Sequence, residues 1–172
     1  MRKKGLMIFS LLMICIFITA CGKSKSISDV NELLIQSKDF GSIKLKYSKD
    51  KHYSISTQED DDNNYYYEIY NHDHYMNMNV HIEYVLKEYY DDLKKAEKES
   101  KGFKEYNWNG NKGFSFGNQY SLSFITIIND KSELFYEVLR GDIYLDSDKS
   151  AITIFNSSDI QSLMETMEYI PN

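Results

Sequence analysis

The sequence predicts an α+β fold: a mostly antiparallel sheet of about six to nine strands, with a central and a C-terminal helix packed on it and a short N-terminal helix before it. Three stretches carry that expectation. Met76 to Tyr84 alternates strictly, with Met76, Met78, Val80, Ile82 and Tyr84 on one side and Asn77, Asn79, His81 and Glu83 on the other. That is the pattern of a strand with one buried and one wetted face. Between 86 and 101, Leu86, Tyr90, Leu93 and Glu97 recur at helical spacing, and Gly102 supplies a stop. Near the C-terminus, Ser158 and Gln161 stand at capping-box spacing ahead of the stripe Ile160, Leu163, Met164 and Met167, with Pro171 beyond it.

The remaining elements follow in chain order. Asp29 and Glu32 also have capping-box spacing, and Val30, Leu33 and Leu34 share a helical face, so a short helix is expected to end near Gly41. Ile43, Leu45 and Tyr47 alternate with polar residues. A turn over 48–51 then leads into Tyr53-Ser54-Ile55, which reads as a hairpin. An acidic loop, Glu59 to Asn64, precedes a strand from Tyr65 to Asn71. In the second half, Phe103 to Trp108 and Phe114 to Phe116 flank the turn Asn109 to Gly113. Tyr120 to Ile128 and Glu133 to Arg140 flank Asn129-Asp130-Lys131, and Asp142 to Leu145 is either an extension of the second of these strands or a loop. Ala151 to Phe155, rich in β-branched residues, reads as a further strand. This order of hairpin, long helix, meander and C-terminal helix resembles the PsbP-like group of small bacterial lipoproteins and photosystem accessory proteins. The chain lacks the Pro and Trp of that group's first hairpin, and no functional residue carries over.

The N-terminus reads as three regions with separate physical roles. Arg2, Lys3 and Lys4 form a basic segment, and Leu6 to Ile18 is apolar except for Ser10. That run falls short of the about 20 residues needed to span a bilayer and matches the core of a secretory signal. Ile18-Thr19-Ala20-Cys21 closes the run and resembles the lipobox of bacterial lipoproteins. The resemblance implies that diacylglycerol is attached to the Cys21 thiol and that cleavage falls between Ala20 and Cys21. Cys15 is the competing cysteine, but the bulky Ile14 precedes it. The expected organisation is a signal peptide over 1–20, a lipidated cysteine and polar tether over 21–28, and a single α+β domain over 29–172. At ~3.5 Å per residue, Gly22 to Ser28 holds that domain within ~25 Å of the membrane.

Composition then excludes several classes of function. With Cys15 removed and Cys21 in a thioether, no thiol is left for disulfides, thiolate catalysis or metal binding. Removing residues 1–20 takes away three cations and no acid, so the formal charge moves from −6 to −9. Nucleic acid is therefore not an expected partner. Two Arg, three Ala and one Pro, against abundant Lys, Asn, Tyr and Ile, suit the AT-rich genome of a Gram-positive bacterium.

Candidate chemistry is sparse. Gly113-Phe114-Ser115-Phe116-Gly117 has the G-x-S-x-G spacing of a nucleophile elbow, but the residues after it read as strand and every histidine precedes Ser115. Asp60, Asp62 and Asn64 fall on the first ligand positions of a calcium loop that has Tyr65 where Gly is needed and Asn71 where Glu is needed. His72 and His74 are two apart, would share a face on a strand, and with Asp73 or the acidic loop are weak candidates for a metal site. Asp91 and Asp92 diverge on a helix and read as solvated charge. The most unusual feature is the 15 tyrosines, of which Tyr65, Tyr66, Tyr67, Tyr70 and Tyr75 crowd one hairpin and suggest a binding surface. The reading these features give is a noncatalytic, lipid-anchored binding or accessory module on the extracytoplasmic face of the cell membrane. Its expected partner is another envelope protein or a cell-wall component, and no cofactor is expected. The alternative is a small-ligand or metal-binding lipoprotein; an envelope hydrolase ranks last.

Overall fold

A computed structural model of the chain describes residues 30–37, 39–59, 65–145 and 149–172. The signal segment, Ala20, Cys21, the tether, Asp29 and the loop residues Asp60, Asp62 and Asn64 lie outside them. The architecture is the expected α+β: two antiparallel sheets with helices packed on them.

The chain opens with a strand in place of the expected helix. β1 (Val30–Gln36) pairs antiparallel with β2 (Ser42–Ser48), and Leu33 and Ile35 point into the core while Leu34 is exposed. Burial of Ile35 imposes a period of two, which overrides the helical spacing of Val30, Leu33 and Leu34. The turn after β2 is present, with Lys51 N–H donating to the Ser48 carbonyl at 3.0 Å. However, β2 and β3 (Tyr53–Glu59) do not form the expected hairpin. β3 pairs with β4 (Tyr65–Asn71) in a second sheet, and β2 takes β10 (Glu168–Ile170) as its other neighbour.

The larger sheet has seven strands in the order β3-β4-β5-β9-β8-β7-β6, so β3 and β6 are its edges. β5 (Met76–Leu86) and β9 (Phe135–Leu145) are its long central pair, and Asp142 to Leu145 is part of strand β9. β6 (Lys104–Trp108) and β7 (Asn111–Gly117) are joined through Asn109 and Gly110, both at positive φ, which suits a two-residue hairpin. β8 (Leu122–Asn129) completes the meander, with a register irregularity between Ile127 and Asn129.

Each face of this sheet is covered differently. On the inner face, Met76, Met78, Val80 and Ile82 of β5 pack with Leu33, Ile35, Ile43 and Leu45 of the small sheet and with two C-terminal helices, α2 (Ala151–Phe155) and α3 (Ser158–Glu165). On the outer face, α1 (Lys87–Ala96), continued by a 3-10 turn over Glu97–Glu99, lays Tyr90 on Phe114 and Tyr136, with ring centroids 5.2 and 5.4 Å apart.

The C-terminal region corrects the sequence reading at three points. Ala151 to Phe155 is helical, because Ala151, Ile154 and Phe155 are buried together at spacings of three and four. The capping box at Ser158 does not form. Ser157 occupies the N-cap position without a side-chain bond, and Gln161 instead accepts from Trp108 Nε1 at 3.0 Å and donates to the Phe155 carbonyl at 2.7 Å. Met167 is buried but lies beyond the helix, ahead of the unexpected strand β10.

The inner core is tightest where β5, β9 and β8 meet. A Cβ on Gly141 would lie 2.3 Å from Phe124 Cε1 and 2.9 Å from Val80 Cγ1. We expect Gly141→Ala to destabilise the domain by about 1–3 kcal/mol through overpacking, read as a lower urea midpoint with an unchanged denaturant slope.

Candidate functional site

The histidines of the first half do not converge. His72, Asp73, His74 and Tyr75 form the turn between β4 and β5, so His72 and His74 lack the shared strand face their spacing suggests. Asn71, fully buried, builds that turn by accepting the N–H groups of Asp73 and His74, both at 2.9 Å. His72 Nε2 lies 3.1 Å from Ser54 Oγ, while His74 Nε2 lies 3.3 Å from Asp159 Oδ2, which also accepts from Lys51 Nζ at 3.0 Å. Asp73 instead accepts from His52 through both its ring Nδ1 and its backbone N–H, and these two bonds hold its carboxyl below the ordinary aspartate value. Among the described residues, no group of three or more His, Cys, Asp or Glu is arranged to hold a metal ion.

Ser115 is buried in β7, where its Oγ donates to the Gly102 carbonyl at 2.7 Å and lies 3.3 Å from the Tyr106 hydroxyl. The strand runs on through it to Gly117, and β8 follows without a helix between.

The tyrosines divide by strand parity. Tyr67 is buried in the inner core, Tyr66 and Tyr70 emerge on the outer face, and Tyr75, at φ 52°, is exposed in the turn; the Tyr65 side chain lies outside the described residues. Because α1 covers only one end of the outer face, the rest presents a continuous polar and aromatic surface. Tyr66 sets its ring edge against His81 at 5.0 Å, and His81 in turn stands beside Arg140 in the β5–β9 register. Glu83 receives Arg140 Nη1 at 3.5 Å and lies 3.7 Å from His81 Nε2. One strand over, Ser123 Oγ donates to Asp142 at 2.6 Å, and Glu68 accepts from Asn77 and from Ser56. Tyr144, about half exposed, stands opposite Asn77 in the register. The charged groups of this array are paired with one another or with neighbouring hydroxyls and amides, while the buried Asn77 Oδ1 has no hydrogen-bond partner among the described residues. Sequence reasoning missed Arg140 and Tyr144, whose places depend on the β5–β9 pairing.

A second feature lies on the inner face, at the edge of the small sheet. A pocket of about 540 Å³ is lined by Tyr84, Asn129, Lys131, Ser132, Phe135 and Glu137. Tyr84 shares the parity of the buried β5 residues but remains 53% exposed, because its neighbour is this space and not core. Phe40 packs edge-on against it at 4.5 Å, and Phe135 stands 6.2 Å away at 61°. Glu137 forms part of the wall, accepting from the Tyr169 hydroxyl at 2.6 Å and from Asn129 Nδ2 at 3.0 Å. Burial, followed by contact with this carboxylate, pushes the Tyr169 phenol up.

No family model, curated protein or solved structure matches the chain. The geometry of these two surfaces is therefore the ground on which function is read.

On the outer face, the close approach of His81, together with Arg140, holds the Glu83 carboxyl below its ordinary value of 4.5 in spite of burial. A depressed folded-state value stabilises above the unfolded value and is lost as the pH falls through the folded one. Glu83→Gln should therefore cost at most about 1 kcal/mol at neutral pH, given partial exposure. Chemical denaturation should show the gap to wild type closing below about pH 4.

Proposed function

We propose that the chain is a noncatalytic binding module, held by lipid on Cys21 at the extracytoplasmic face of a cell membrane, that engages an envelope protein or cell-wall component. The observation that carries this reading is the half-covered outer face of the seven-stranded sheet. There Tyr66, Tyr70 and Tyr144 surround the paired groups of His81, Glu83 and Arg140. Tyr offers large, rigid contact area with a polar tip, and Arg adds a directional donor; both residue types are enriched where binding energy concentrates.

The anchor rests on the sequence: the basic segment, the apolar run of signal length and Ile18-Thr19-Ala20-Cys21. No described helix is long and apolar enough to cross a membrane.

Two measurements test the two halves of the proposal. Cells fed radiolabelled fatty acid should label the wild-type chain and not Cys21→Ser, and the processed N-terminus should be Cys21; a different N-terminus would remove the anchor. For the surface, affinity capture of the full-length chain from solubilised membrane and wall fractions should retain a partner. The Tyr66→Ala, Tyr144→Ala double variant should reduce that recovery at least about tenfold, in line with the loss of two interface anchors, while its circular dichroism and melting stay near wild type. Equal recovery by wild type and double variant would sink the surface assignment.

A further inference from the structure

The pocket beside the β8–β9 hairpin has a chemistry of its own, independent of the outer face. Its walls include two aromatic rings, Tyr84 and Phe135, that stay more than a third exposed. Such surface is stabilised when an apolar group covers it.

With these rings stands a carboxylate, Glu137, that pairs with no cation among the described residues. Among the described residues Glu137 is bonded only by neutral groups: Tyr169 and Asn129 both donate to its Oε2, while its Oε1 has the Tyr84 hydroxyl alone, at 3.4 Å. A carboxylate oxygen accepts two hydrogen bonds, and a 3.4 Å contact is a weak one, so Oε1 keeps acceptor capacity beside a residue that lines the pocket.

The exposed hairpin supplies the opposite charge. Lys131 is exposed there and, among the described residues, enters no ion pair, not even with Glu137. Beside it, Ser132 Oγ accepts the N–H groups of Leu134 and Phe135, each at 3.3 Å, which leaves its own proton for an acceptor outside the turn.

We infer that this pocket binds a small zwitterion with an apolar body, of the amino-acid or dipeptide class. Its ammonium meets Glu137 Oε1, its carboxylate meets Lys131 and Ser132, and its side chains lie against Tyr84 and Phe135. A simple carboxylic acid would leave Glu137 facing an anion, and a simple amine would leave Lys131 without a counter-charge; the zwitterion answers both in charge-assisted bonds. The volume of about 540 Å³ falls in the range of small-molecule sites and exceeds what one amino acid fills.

The test is calorimetric titration of the full-length chain in lipid nanodiscs with L-phenylalanine and L-leucyl-L-phenylalanine, each also as its N-acetyl and its carboxamide derivative. At least one free zwitterion should bind, and blocking either end should weaken it by about tenfold or more. Lys131→Ala, an exposed position whose loss leaves the fold intact, should weaken the free ligand to a similar extent and leave the carboxamide form unaffected. Glu137→Gln should remove the discrimination against N-acetylation, with its melting curve checked because two tyrosines bond to that carboxylate. The inference is overturned if neither zwitterion binds at up to about 10 mM, tenfold above a millimolar dissociation constant. It is equally overturned if either blocked form binds as tightly as the free ligand, or if Lys131→Ala binds the free ligand like wild type.

Discussion

A sheet of seven strands has two faces to keep from water, and this chain covers them unequally. The inner face receives the three-stranded sheet and the helix pair α2–α3, locked by the Trp108–Gln161 hydrogen bond and by Trp108 packing edge-on to Phe124 and Phe155. Among the described residues the outer face receives only α1 and its 3-10 extension, which cover Val85, Phe114, Ile125 and Val138. The side chains of each strand follow this boundary. β5 buries Met76, Met78, Val80 and Ile82 on one face and then Val85 on the other, and its remaining positions are polar or aromatic except for the exposed Leu86. Both surfaces of functional interest lie where the cover stops.

The two surfaces differ in physical kind. On the outer one the charged side chains already hold partners, so it offers shape and aromatic area. The pocket is concave, and its charges do not neutralise each other. β1 runs from Val30 to Gln36, roughly 20 Å at strand rise, and Phe40, which flanks the pocket, follows its far end. Val30, where β1 begins, is therefore at the opposite end of that strand from Phe40.

Much of the fold was legible because burial on one side writes a period into the sequence. Met76 to Ile82 alternates cleanly and is a strand, and Tyr90 and Leu93 mark a helix that packs through them. The failures have a common cause in long-range pairing. Val30, Leu33 and Leu34 fit a helix until Ile35 is known to be buried beside β2. Ala151 to Phe155 is β-branched yet turns helical against the aromatic cluster. A turn such as 48–51 has the same local chemistry whether its flanking strands pair or part, and β10 is too short to show alternation. For the sites, parity alone separates Tyr67 from Tyr66 and Tyr70. The pocket draws on β5, the 129–135 hairpin, Phe40 and Tyr169, which no local pattern connects.

The small sheet carries a consequence for how the molecule is made. β2 meets β1 almost at once in the chain, but its other flank waits for β10, and the bonds between Lys46 and the Thr166 hydroxyl span 120 residues. Contacts of such separation form late, since the loop entropy must be overcome before they contribute. A chain emerging N-terminus first therefore holds Ile43 and Leu45 on a half-built layer until β10 has emerged. Proteases and chaperones at the site of emergence thus meet β2 in a state that the finished molecule never displays.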